Sequence, residues 1–158
     1  MVAPDGEMAA ASPDEKDRLR LWIRILRASR LIEAGLRDKL KSEFDTTLPR
    51  FDVMAALYRQ PDGMLMSDLS RFLLVSNGNV TGIVDRLVQD KLVARAQRDG
   101  DRRTSIVSLT PQGRAQFARM AAAHQNWVND ALSKLSGDDA RKLSTFLKTF
   151  SSNWEPGA

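Results

Sequence analysis

Residues 76–113 constrain this chain more than any other stretch. They read Ser76-Asn-Gly-Asn-Val-Thr-Gly-Ile-Val-Asp-Arg-Leu, then Leu92-Val-Ala-Arg, then Asp99-Gly-Asp-Arg-Arg-Thr-Ser-Ile-Val-Ser-Leu-Thr-Pro-Gln-Gly113. Val80, Ile83, Val84, Leu87 and Val88 recur at three- and four-residue steps, which predicts one apolar helical face. Residues 92–98 and 103–109 carry β-branched or apolar positions around an Asp99-Gly-Asp turn, which predicts a two-stranded ribbon. Thr110 and Pro111 then form a helix start, with threonine as cap and proline in the first turn. A helix, a hairpin and a second helix must follow one another with no spacer.

The remaining elements are helical. From residue 14 to residue 44 no proline interrupts a pattern carried by Leu19, Trp22, Ile23, Leu26, Ile32, Leu36 and Leu40. Asp14, Glu15 and Asp17 suit the positive end of that helix. So long an apolar stripe is expected to pack on a second subunit. Thr46, Thr47 and Pro49 start a second helix with Phe51, Met54, Ala55, Leu57 and Tyr58, closed by Gln60-Pro-Asp-Gly. Ser67 is expected to cap a short third helix with Leu69, Phe72 and Leu73, and Ser76 a fourth. The fifth carries Phe117, Met120, Ala121, His124, Trp127, Val128, Ala131 and Leu135, until Ser136-Gly-Asp breaks it. A sixth holds Leu143, Phe146, Leu147 and Phe150. The fold expected is mainly α with a small β-wing: a winged helix-turn-helix of six helices, as an obligate-type helical homodimer. Residues 1–13 read as a disordered lead, 14–44 and 111–151 as dimerisation helices, 45–110 as the winged lobe and 152–158 as a tail.

The fourth helix begins with small polar residues, the arrangement that suits a DNA major groove. Asn77 and Asn79 can bond an adenine edge, and the Thr81 methyl can touch a thymine methyl. Gly78 and Gly82 each cost a helix about 1 kcal/mol relative to Ala. Close approach to DNA offsets that cost, or close packing within the domain does. Ser76 and Asn77 can hold a phosphate at the helix N-terminus instead of reading bases. Ser67 and Arg86 complete the helical candidates for DNA contact, with Arg86 free to meet phosphate or pair with the wing. The wing carries Arg95, Arg98, Arg102 and Arg103. Of these, Arg98, Arg102 and Arg103 are candidates for a minor groove, against the alternative of a solvated run adding only salt-dependent affinity. Asp99 and Asp101 fit as internal partners of the hairpin.

Composition narrows the classes. The formal net charge of +4 over 158 residues leans mildly towards a polyanionic partner. With no cysteine there is no disulfide, thiolate metal site or thiol sensor, and no metal or cofactor is expected. One histidine and the absence of a phosphate-binding glycine loop, a His-Glu-x-x-His or a Gly-x-Ser-x-Gly argue against an enzyme. No run approaches the ~18 apolar residues that span a bilayer. Asp5 and Glu7 spoil a secretory pattern, so a cytoplasmic location without membrane contact is expected.

The motifs at 76–87 and Asp101-Arg102-Arg103…Val107-Ser-Leu-Thr-Pro-Gln-Gly113 resemble those of the multiple-antibiotic-resistance regulator (MarR) family of bacterial transcription factors, over about residues 15–150. The resemblance implies a triangular homodimer on palindromic double-stranded DNA, released by a small-molecule effector. Leu19-Arg-Leu-Trp-Ile-Arg, Thr46-Thr-Leu-Pro-Arg-Phe-Asp-Val-Met and Met120-Ala-Ala-Ala-His-Gln-Asn-Trp look like the family's aromatic-acid catabolism branch. That branch implies an effector such as an aromatic carboxylate or an aromatic acyl-CoA, of benzoate or hydroxycinnamate type. Oxidant sensing through cysteine is closed to this chain. By the family's pattern the effector would meet Trp22, Arg24, Leu26, Arg27, Phe51, Met54, His124 and Trp127. Trp22 and Trp127 can stack on an aryl group or simply pack a core or dimer, and His124 can be a core histidine. Arg18, Arg20, Arg24, Arg27 and Arg30, with no acid among them, suit a carboxylate or CoA phosphates, or form a solvated face. The expected function is a repressor that loses its operator when the effector binds. The alternatives are a winged-helix assembly module and a regulator that needs no ligand.

Overall fold

Helix starts are where the local chemistry is clearest. Thr47 sits in extended conformation before α2 (Leu48–Tyr58), and its hydroxyl accepts from the Arg50 N–H at 3.4 Å. Thr110 does the same for α5 (Pro111–Ala131), accepting from the Gly113 N–H at 3.0 Å. Both helices carry proline in the first turn, where its missing N–H leaves no bond unmade. In the computed structural model, residues 11–73, 77–97 and 104–151 are described, with the side chains of Asn77 and Gly78 excepted. The other elements are α1 (Pro13–Phe44), β1 (Met64–Leu65), α3 (Met66–Phe72), α4 (Asn77–Gln89), β2 (Val93–Gln97), β3 (Ser105–Leu109) and α6 (Gly137–Ser151). Two units are distinguished, Met1–Gly35 and Leu36–Ala158.

Within 36–158 the core is one cluster. Leu40, Val53, Leu57, Leu69, Val80, Val84, Val107 and Met120 are fully buried. α2 is the hub: it packs on α3, α4, α5 and β3. Its contact with α5 is aromatic, with Phe117 set against Phe51 at 5.3 Å and Tyr58 at 4.9 Å between ring centroids. Arg114 lies over the Tyr58 ring and donates to the Tyr58 carbonyl at 3.3 Å, closing the far end of that contact.

The wing is larger than the sequence suggests. β1 pairs antiparallel with β3, which pairs antiparallel with β2, giving the order β1-β3-β2. The hairpin register runs from Val93 opposite Leu109 to Gln97 opposite Ser105. Met64 and Leu65 face Val107 and Ile106. Gly63, at φ +88°, turns the chain into that short strand, where a Cβ would come within 2.6 Å of the Val107 carbonyl oxygen. The third strand corrects the expected cap of α3. Pairing holds Leu65 extended and α3 starts at Met66, with Leu65 as N-cap and no side-chain bond. Ser67 therefore lies inside α3, two residues past the cap position. α5 also ends earlier than expected, at Ala131, which leaves Leu135 off its stripe.

α4 ends in a tight closure. Lys91 adopts φ 61°, its N–H bonds the Val88 carbonyl, and the Leu92 N–H bonds the Leu87 carbonyl. This is a Schellman end with lysine in the left-handed position, usually held by glycine. α5 then locks it: the Thr110 hydroxyl donates to the Lys91 carbonyl at 2.7 Å and the Thr110 N–H to the Leu92 carbonyl at 3.0 Å. Gly113 makes room, since a Cβ there would stand 1.9 Å from the Leu92 carbonyl oxygen.

Apolar side chains remain exposed on two helices. On α1, within the first unit, Leu19, Trp22, Ile23 and Leu31 are more than half exposed. On α6 so are Phe146 and Phe150, with Leu143 and Leu147 nearly so.

Gly113→Ala is expected to destabilise the fold by roughly 1–3 kcal/mol or more, because the backbone at Leu92 must move. Thermal unfolding followed by circular dichroism measures it, and an unchanged midpoint would show that α5 does not need this approach.

Candidate nucleic-acid interface

α4 has two faces with different chemistry. Val80, Val84 and Leu87 are buried against the domain, and α4 packs on α2, α3 and β2. Ile83 is half-buried and Val88 is exposed at 37%, so the inward face is narrower than the sequence pattern suggests. Asn79, Gly82 and Arg86, three and four residues apart, form an outward stripe, with Thr81 also exposed. An ideal Cβ on Gly82 meets nothing within 4 Å. Packing inside the described structure therefore gives no reason for glycine at this position. Of the other expected DNA contacts, Ser67 is exposed on α3. Ser76, Arg98, Arg102 and Arg103 lie outside the described residues, as do Asp99 and Asp101. For Asn77 and Gly78 only the helical backbone is described.

Two ion pairs anchor this helix. Asp85 meets Arg95 of β2 at 2.8 Å, joining the helix to the wing. Among the described residues Asp85 is a carboxylate that ties the wing to α4, and Arg86 is exposed beside it. Asp90 accepts from Arg50 in the first turn of α2. The sequence reading missed both pairs, because neither partner lies within a helical turn of the other. At the end of α1, Lys41 pairs with Asp45, and its hydrogen bond and charge hold the Asp45 carboxyl below the usual range.

The residues expected around an effector fall in different places. Trp22, Arg24, Leu26 and Arg27 lie on α1 in the first unit. Leu26 and Arg27 line an open cavity of about 350 Å³ with Ile23, Arg30 and Leu31. In the second unit, His124 stacks on Phe51 at 4.6 Å with 24° between ring planes. Burial lowers the His124 pKa, so the ring is neutral near pH 7 and offers an aromatic face rather than a charge. Met54 is 1% exposed and sits in the core. Trp127 is 8% exposed and packs on Phe44, with the Lys39 ammonium 5.6 Å from its ring centroid. No metal-binding cluster of His, Cys, Asp or Glu occurs among the described residues, and no helix among them is long and apolar enough to cross a membrane.

Known proteins share this arrangement. The sequence model of the MarR family matches residues 44–104. The HTH-type transcriptional regulator PecS of Dickeya dadantii (strain 3937) is 32% identical over 123 residues, covering 77% of this chain and 74% of its own. A crystal structure of a MarR family transcriptional regulator from Silicibacter pomeroyi is 33% identical, with a TM-score of 0.78 over 92% of this chain and 100% of that one. Sco3205 of Streptomyces coelicolor, a MarR family regulator solved in complex with DNA, has a TM-score of 0.81 over 97% of this chain and 95% of that one. At 19% identity it supports the fold alone. The helix-turn-helix, its wing and these relatives together place the chain in the MarR family, as a DNA-binding transcriptional regulator and not an enzyme.

Proposed function

We propose that the chain is a homodimeric repressor that occupies a palindromic operator and leaves it when a small aromatic acid, or its coenzyme A thioester, binds. One observation carries the DNA half of this reading: the outward stripe of α4, whose Gly82 has open space around it and no packing partner. A helix surface stripped to Asn, Gly and Thr lets a base edge come close to the backbone. Two copies would hold their recognition helices near ~34–36 Å apart, the spacing of successive major grooves. The exposed leucines and aromatic rings of α1, in the first unit, and of α6, in the second, each supply apolar surface for the second copy. The assembly-module alternative leaves Asn79, Gly82 and Arg86 without a purpose.

The effector half rests on α1. Its arginines 18, 20, 24, 27 and 30 are exposed and carry no ion pair with an acid of another element among the described residues. Arg27 and Arg30 share the open cavity with Ile23, Leu26 and Leu31, a pairing of cation and apolar wall that fits an aromatic carboxylate. The greater charge of an acyl-CoA would engage more of the row. A tenfold loss of operator affinity needs only about 1.4 kcal/mol of coupling between effector and DNA.

Three outcomes are expected. Gly82→Ala should raise helix stability by about 1 kcal/mol while weakening the bound complex, read by thermal unfolding and by gel shift on a duplex selected from a random pool. Tighter DNA binding by that variant would place α4 away from the groove. Asn79→Ala should cost about 1–3 kcal/mol at one base position if Asn79 reads an edge; a uniform loss over all sequences would assign it to the backbone. Benzoate, a hydroxycinnamate and their CoA thioesters, titrated into the complex, should release DNA. Binding indifferent to all four would remove the aromatic-acid reading and leave the DNA-binding one intact.

A further inference from the structure

The pair between Arg50 and Asp90 is badly placed for the two helices that carry it. Arg50 lies in the first turn of α2, where the helix dipole disfavours a cation. Asp90 follows the last residue of α4, where the dipole disfavours an anion. The Arg50 side chain is only 21% exposed, and its buried Nε has no hydrogen-bond partner among the described residues. An unmet buried donor offsets part of what the ion pair contributes, so the pair is a weak stabiliser. Neither local helix chemistry nor net stability explains these two charges. Their geometry does: they join the start of α2, the hub of the core, to the closing turn of α4.

We infer that Arg50 and Asp90 are positioning residues that fix the tilt of the recognition helix, a role that rests on the reading of α4 as the element facing DNA. Asp85 ties the middle of the helix to the sheet and Asp90 ties its end to α2, so the two links resist different rotations. At ~1.5 Å per residue, α4 runs roughly 18 Å from the turn at Asp90 to its first residues. A change of about 5° at that end would move the first turn by ~1.5 Å, beyond the ~0.5 Å that a preorganised contact tolerates. Arg50 thereby acts on base readout through α4, without touching DNA.

The test uses Arg50→Gln, Asp90→Asn, the double variant and Arg50→Lys in the full chain, on a duplex selected from a random pool by the wild-type protein. Each single variant should lose about tenfold in affinity for that duplex, measured well below its Tm, with an unchanged salt slope and unchanged binding to scrambled DNA. The double variant should be no worse than either single one, and Arg50→Lys should restore most of the loss. A lower Tm with unchanged affinity would reduce the pair to a stabiliser and overturn the inference. A salt slope smaller by about one charge would overturn it too, by placing Arg50 on a phosphate. If the wild-type protein selects no duplex, the DNA reading itself fails. Amide NMR then decides the strut separately: Arg50→Gln should shift resonances over 77–89 in an otherwise native spectrum, and an unmoved α4 would refute it.

Discussion

The carbonyl of Leu92 is the point on which the junction of α4, the wing and α5 depends. The Thr110 N–H donates to it, and the missing side chain of Gly113 lets α5 come close. The same residue supplies, through its N–H, the closing bond of α4, and β2 begins at the next position. Three elements therefore meet at one residue. None can shift without breaking one of these bonds or opening the contact at Gly113, which restricts how α4 and β2 can move against α5. The pairs at Asp85 and Asp90 then refine an orientation that the backbone has already restricted.

What α4 offers outward follows from what it must bury inward. Val80, Val84 and Leu87 commit one side of the helix to the core. The opposite side is free to carry residues that serve no internal purpose, and Gly82 is the clearest of these. Glycine weakens a helix, and here no neighbour among the described residues needs its small size. The helix remains formed because tertiary packing of its apolar side outweighs intrinsic propensity. On the proposed reading, stability and recognition are divided between the two faces of one element.

Much of this was legible in the sequence where the cause is local. Thr47 and Thr110 precede proline at helix starts, and both cap as their positions suggest. The pairing of residues 93–97 with 105–109 follows from their β-branched and apolar runs, and its register is antiparallel. Ser67 misled because a distant strand, β3, holds Leu65 extended and moves the start of α3 forward. No short-range pattern announces that pairing. Arg50 and Asp90 stand forty positions apart, and only the fold shows that they meet. The apolar stripes of α1 and α5 were readable as stripes. Periodicity could not separate a buried ring such as Trp127 from an exposed one such as Trp22.

The exposed rings of α6 have a consequence for how such a molecule exists in solution. Phe146 is 74% exposed and Phe150 53%. Water disfavours those surfaces, so any partner that covers them adds its binding free energy to the folded state. The melting temperature of this chain is then not a constant of its sequence alone. In the proposed homodimer it depends on how many copies share the volume, and dilution becomes a form of denaturant.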